Sequence, residues 1–76
     1  MNDSVQDRTA FVKAIQKIEQ AYMIACRSTD HLGVAVNKGE EQTQEEFLQR
    51  LIYAQGDLES ALLIVKDAKE LLAAGQ

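Results

Sequence analysis

Residues 44–73 read QEEFLQRLIYAQGDLESALLIVKDAKELLA, and this stretch decides the fold. Its apolar side chains recur at alternating steps of four and three residues, from Phe47 to Leu72. A repeat of about 3.5 residues, sustained over several heptads, is typical of a helix that packs along its length against another helix. The stretch therefore predicts a long helix with one continuous apolar stripe.

The first half of the chain carries a matching stripe, which begins at Phe11 and ends at Val36. A capping box precedes each stripe, at Ser4–Asp7 and at Thr43–Glu46. In this motif a hydroxyl accepts a hydrogen bond from an amide three residues later, and an acidic side chain accepts one in return. The two motifs predict two helix starts.

The end of helix one is less sharply marked than its start. Gly33 and Gly39 are both suitable stop signals. We favour the longer helix, because Leu32 and Val36 stay in phase with the stripe. The predicted elements are helix one over about residues 5–36, a turn over about 37–42, and helix two over 44–73.

Small residues recur every seven positions in both helices, as in Ala54, Ala61 and Ala68. Small side chains at a repeated position let two helix backbones approach closely, and a short connection makes the two helices antiparallel. The predicted fold is an all-α antiparallel two-helix hairpin with a heptad-like, Ala-rich seam. The predicted seam residues are Phe11, Ile15, Ile18, Tyr22, Phe47, Leu51, Ala54, Leu58, Ala61, Val65, Ala68 and Leu72.

The helices hold more apolar residues than one seam requires. A contiguous apolar surface of this size is unusual on a monomer and predicts a partner that covers it. We expect a homodimer that completes a four-helix bundle, a different protein partner, or both. The predicted partner-binding residues are Met23, Ile24, Ile52, Leu62, Leu63, Ile64 and Leu71.

Composition excludes several classes of function. The 76 residues include one Cys and one His, too few for a disulfide framework or a tetrahedral Cys/His zinc site. A net charge of -4 argues against a nucleic-acid partner. The chain shows neither a secretory signal pattern nor an apolar run long enough for a membrane span, so we expect a cytoplasmic protein without membrane contact.

No residue pattern predicts catalysis or a cofactor. Cys26 and His31 do not share a helix face, and a hairpin builds no pocket around Ser28, Asp30 and His31. We expect Cys26 to be a small buried apolar residue and His31 to bond carbonyls at a helix end. The acidic turn Glu40–Glu46 lacks the spacing of a calcium-binding loop, and we assign it no metal.

The function expected from these patterns is a small non-enzymatic protein–protein interaction module. Adaptor, chaperone, inhibitor and regulator all fit a surplus apolar helix face. The alternative is a structural subunit of a larger helical assembly. An acidic metal-binding module or a small enzyme is the minor alternative.

Overall fold

The protein is an all-helical hairpin in which two long helices pack against each other. The computed structural model describes the backbone of residues 2–74 and the side chains of residues 8–74. Helix α1 spans Asn2–Lys38, a short 3-10 turn spans Gly39–Glu41, and helix α2 spans Gln44–Ala74. The hairpin is a rod with dimensions of 61 × 14 × 10 Å. Helix α1 already includes Ser4–Asp7, so it does not begin at the cap predicted there, whose side chains lie outside the described residues.

Helix α1 passes through Gly33 and ends at Lys38. A Cβ at Gly33 would meet no atom within 4 Å, so this glycine is not required by close packing. The residue after the helix, Gly39, has a φ of +50°, the left-handed conformation that terminates many helices. The Gln42 side chain closes the end, because its Nε2 donates to the carbonyl oxygens of Ala35 at 2.6 Å and of Gly39 at 3.0 Å.

Helix α2 begins with the capping box that the sequence predicts at Thr43–Glu46. The Glu46 amide donates to Thr43 Oγ1 at 3.0 Å, and the Thr43 amide donates to Glu46 Oε1 at 3.1 Å. These two bonds satisfy amides that the helix itself leaves without partners. The hydrogen bond that the Glu46 carboxylate accepts from the Thr43 amide lowers the pKa of Glu46 below the ordinary value of 4.5, and the Thr43 side chain lowers it further.

Replacing Thr43 with alanine is expected to lower the free energy of unfolding, measured by urea titration, by about 1 kcal/mol, because the cap is lost.

A lowered folded-state pKa means that Glu46 stabilises the fold above its ordinary pKa and ceases to do so as the pH falls through the folded value. The free energy of unfolding, measured with urea between pH 7 and pH 3, should therefore change less with pH in Glu46→Gln than in the wild type. Equal dependence in the two proteins would contradict this assignment.

The buried interface between the helices consists of small side chains. The buried side chains are Ala14, Ala21, Ser28, Ala35, Ala54, Ala61 and Ala68. Ser28 is 0% exposed, and its Oγ donates to the Ala54 carbonyl at 3.0 Å. This bond sets the register, since successive steps of seven residues then place Ala21 opposite Ala61 and Ala14 opposite Ala68.

The large residues predicted for the seam do not lie in this buried interface. Phe11, Ile15, Ile18, Tyr22, Phe47, Leu51, Leu58 and Leu72 are exposed, and Val65 is half-buried. The physical reason is the close approach of two backbones across alanine and serine, which leaves no room for larger side chains. Phe47 is one heptad before Ala54, at the end of the interface near the turn, and the other residues stand beside the contact, where they form the walls of a groove.

Polar contacts lie on the side of the hairpin opposite this groove. Arg27 pairs with Asp57 at 3.5 Å, and the rings of His31 and Tyr53 lie 5.7 Å apart at an angle of 33°. The ion pair contributes little to stability because the arginine is largely solvated. We call this side, which carries the ion pair and the ring contact, the polar side of the hairpin.

Candidate functional site

The candidate site is the apolar side of the hairpin, which we call the apolar face. It consists of side chains from both helices that stand directly beside the small-residue interface. Its members are Phe11, Ile15, Ile18, Tyr22, Leu32, Leu51, Leu58, Leu62, Val65 and Leu72. The face covers about half the length of the 61 Å rod, since it runs on α1 from Phe11, near the open end where α1 starts and α2 finishes, to Leu32, toward the turn, a span of about 32 Å.

A hollow of 420 Å³ lies in the half of the apolar face near the open end. Ala14 and Ala68 line its base, and Phe11, Tyr22 and Leu72 stand around it. The wall is formed almost entirely by apolar side chains, which is the usual lining of a binding surface for another apolar group. Two charged side chains, Glu19 and Lys69, flank this hollow.

A second hollow of 400 Å³ occupies the half of the face near the turn. Leu32 of α1 lines it together with Leu51, Leu58 and Leu62 of α2. Since residues of both helices surround each hollow, these side chains share one side of the hairpin. Gln55 and Glu59 supply the polar rim here, and Gln55 Nε2 donates to Glu59 Oε1 at 3.1 Å.

The hairpin exposes more surface than its mass predicts. Its accessible surface is 6180 Å², whereas a compact monomer of 8.5 kDa exposes about 4,700 Å². Much of the excess is apolar, and Tyr22 and Leu62 are 69% and 70% exposed. Contiguous apolar patches of this extent mark sites of interaction on soluble chains.

Six of the seven residues predicted to bind a partner lie outside the apolar face. Leu62 belongs to it, and Ile52 lies one heptad before Glu59, on its outer rim. Leu63 is about 100° further around α2 than Leu62, and Met23 borders a separate patch of α1 with Gln20 and Arg27.

The other three predicted partner-binding residues lie toward the polar side of the hairpin and are half-buried. Ile24 is one heptad before His31, while Ile64 and Leu71 are one and two heptads after Asp57. The sequence does contain the signal that separates the two groups. Alanine and serine repeat every seven residues in both helices, and those repeats, rather than the larger residues beside them, define the contact.

The remaining polar candidates occupy other positions than expected. Cys26 is exposed rather than buried, and His31 lies in mid-helix against Tyr53 rather than at a helix end. Thr29, a polar residue in the stripe of α1, is exposed and donates to the Ala25 carbonyl of its own helix at 3.0 Å, so it does not set the register of the two helices. The buried polar residue that performs this role is its neighbour, Ser28.

The residues that the structure describes form neither a metal-binding cluster nor a membrane-spanning helix. Among them, no three His, Cys, Asp or Glu side chains lie close enough together to hold a metal ion. Neither helix, over its described length, is apolar enough to cross a bilayer. Comparison of the chain with protein-family models, with curated proteins and with solved structures finds no match in any of the three.

Proposed function

We propose that this protein is a non-enzymatic protein–protein interaction module that binds through its apolar face. One observation carries the proposal: the described interior of the hairpin buries only alanine and serine, while most of its large apolar side chains are exposed. Such a hairpin gains little hydrophobic stabilisation by itself. Its fold is completed when another protein covers the face.

The hydrophobic free energies of the large and small side chains support a coupling between partner binding and the stability of the hairpin. Burying a leucine, isoleucine or phenylalanine side chain contributes about 1.5–3 kcal/mol, whereas an alanine methyl contributes about 0.8 kcal/mol or less. Burial of the large side chains on the apolar face would therefore contribute more hydrophobic free energy than the small-residue interface contributes. A partner that binds only the folded hairpin stabilises it in proportion to its concentration and affinity.

The partner surface that fits this face is helical. A long shallow groove walled by Phe11, Tyr22, Leu58 and Leu72 suits the apolar stripe of one or two helices, the mode of helix-in-groove recognition. Adaptor, chaperone, inhibitor and regulator all use such a contact. A homodimer is one form of it, since the chain itself supplies two helices of the required kind.

A structural subunit of a larger helical assembly is the second candidate function. The observation that favours it is the presence of large apolar side chains away from the apolar face, since Met23 and Leu63 are 68% and 63% exposed. Two separate contact surfaces on one rod permit open-ended growth. Light scattering across a concentration series distinguishes the two, because a closed complex has a fixed mass and an assembly continues to grow.

The concentration dependence of thermal unfolding tests the leading proposal. If the apolar face is covered by a copy of the chain, the melting temperature measured by circular dichroism should rise with protein concentration. If it is covered by another protein, the isolated chain should melt at low temperature and be stabilised by that protein. A monomer that melts cooperatively at the same high temperature at every concentration would contradict the proposal.

A further inference from the structure

We propose that the apolar face is covered by a second copy of this chain, packed face to face and antiparallel, so that each open end lies over the other copy's turn. The inference rests on the proposed function and specifies its first partner. The resulting four-helix bundle has a two-fold axis across the middle of the rod. In this arrangement α1 packs on α1 of the second copy, and α2 packs on α2.

The length of the apolar face favours a second copy as its occupant. Large side chains of both helices extend from Phe11 and Leu72 near the open end to Leu32 and Leu51 near the turn, over about 32 Å of the 61 Å rod. A single short helix would leave part of this face in water. A second hairpin has the same length and the same two-helix width, so it covers both halves at once.

The accessible surface that two hairpins would have to bury to become a compact protein is as large as the surface that obligate dimers bury. Two separate hairpins each expose 6180 Å², and a compact protein of twice the mass exposes about 7,700 Å² in total. Reaching that value requires the burial of about 4,600 Å², which lies within the range of about 2,000–5,000 Å² that obligate homodimers bury. A transient contact of ordinary size would leave the hairpin far more exposed than a stable protein.

Charge determines the orientation of the two copies. The rim of α2 repeats every seven residues as Glu45, Ile52, Glu59 and Lys66, and thus changes from acidic near the turn to basic near the open end. Lys69, at the hollow near the open end, extends the basic part.

The rim of α1 contributes no net charge to either half. Arg8 lies at the open end of the apolar face, and Glu19 is the opposing charge in that half. Toward the turn, the corresponding positions of α1 are the uncharged Cys26 and Gly33. The half near the open end is therefore net basic, and the half near the turn is net acidic.

An antiparallel pair places the basic half of each copy over the acidic half of the other. A parallel pair, in which α1 packs on α2 of the other copy, would place the basic half of each copy over the basic half of the other, which opposes association. The point midway between Glu59 and Lys66 lies within about 2 Å, along the helix axis, of the point midway between Leu51 and Leu72, the two ends of the apolar face on α2. In the antiparallel dimer, Glu59 therefore approaches the partner's Lys66, and the two-fold axis repeats the pair.

Spin-label distances test the orientation directly. Glu41, exposed in the turn, is changed to cysteine in a Cys26→Ala background and labelled. The antiparallel dimer should give a label-to-label distance close to the rod length of 61 Å. A distance of about 20 Å, the width of two helix layers, would mean adjacent turns and would overturn the inference while leaving the proposed function intact.

A mixed sample provides the converse measurement. When copies labelled at Glu41→Cys are combined with copies labelled at Arg8→Cys, the antiparallel dimer should bring a turn label within about 20–25 Å of an open-end label. A parallel dimer should keep these two labels far apart. Sedimentation at the same concentrations supplies the third outcome, because a folded monomer throughout would overturn both the inference and the self-association that the proposed function includes.

A charge exchange tests the proposed pairing between copies. Lys66→Glu should raise the dimer dissociation constant by about tenfold, because two attractive pairs become repulsive. The double variant Glu59→Lys/Lys66→Glu should recover the wild-type value to within about twofold. Lys13→Glu, which makes the same charge change away from the apolar face, is the matched control and should leave the constant unchanged. Failure of the double variant to recover would overturn the antiparallel register.

Discussion

The Leu62→Glu variant is expected to be monomeric at concentrations where the wild type is associated, with a dissociation constant raised at least about 100-fold. Leu62 is 70% exposed in the isolated hairpin and borders the hollow near the turn. Covering the face buries this side chain, so a carboxylate there must lose much of its hydration. In the antiparallel dimer the penalty is doubled, since the two-fold axis brings the two carboxylates toward each other.

Leu63→Glu is the matched control for this variant. The residue is adjacent, chemically identical and similarly exposed at 63%, but it points about 100° away around α2. Helix propensity changes equally little in both variants, because leucine and glutamate are both good helix formers. Sedimentation equilibrium should therefore separate the two, with Leu63→Glu close to wild type. If Leu63→Glu dissociates the protein and Leu62→Glu does not, the contact surface lies on the outer side of α2.

The Ala61→Leu variant is expected to lose about 1–3 kcal/mol or more of unfolding free energy. Ala61 lies in the buried interface, opposite Ala21 in the register that Ser28 sets. A leucine there must push the backbones apart, and the neighbouring alanines then lose their contacts along the interface. Urea unfolding at a fixed protein concentration measures the loss.

Ala73→Leu makes the same chemical change on an exposed part of α2. This control should stay within about 0.5 kcal/mol of wild type, as surface substitutions usually do. An Ala61→Leu midpoint equal to that of the control would mean that the helices do not approach closely at this position. The small-residue interface would then have to be abandoned as the basis of the fold.

Local rules predicted the helices of this protein well. The capping box at Thr43–Glu46 forms as expected, because its two hydrogen bonds depend only on residues within one turn. Gly39 terminates α1 because it alone adopts the left-handed conformation at that point among the described residues. The absence of proline and the abundance of helix-forming residues allow the long helices on either side.

What the sequence by itself determined is therefore a pair of long helices, their capping and connection, and an amount of apolar surface that one hairpin cannot bury. Which apolar residues face inward was decided by the tertiary structure. Residues such as Ile18 and Ala21 are both apolar and lie on adjoining stripes of α1, so periodicity alone does not separate them. The choice depends on the distance between two backbones, and that distance is set by the smallest side chains on both helices together, including Ser28 with its bond to Ala54.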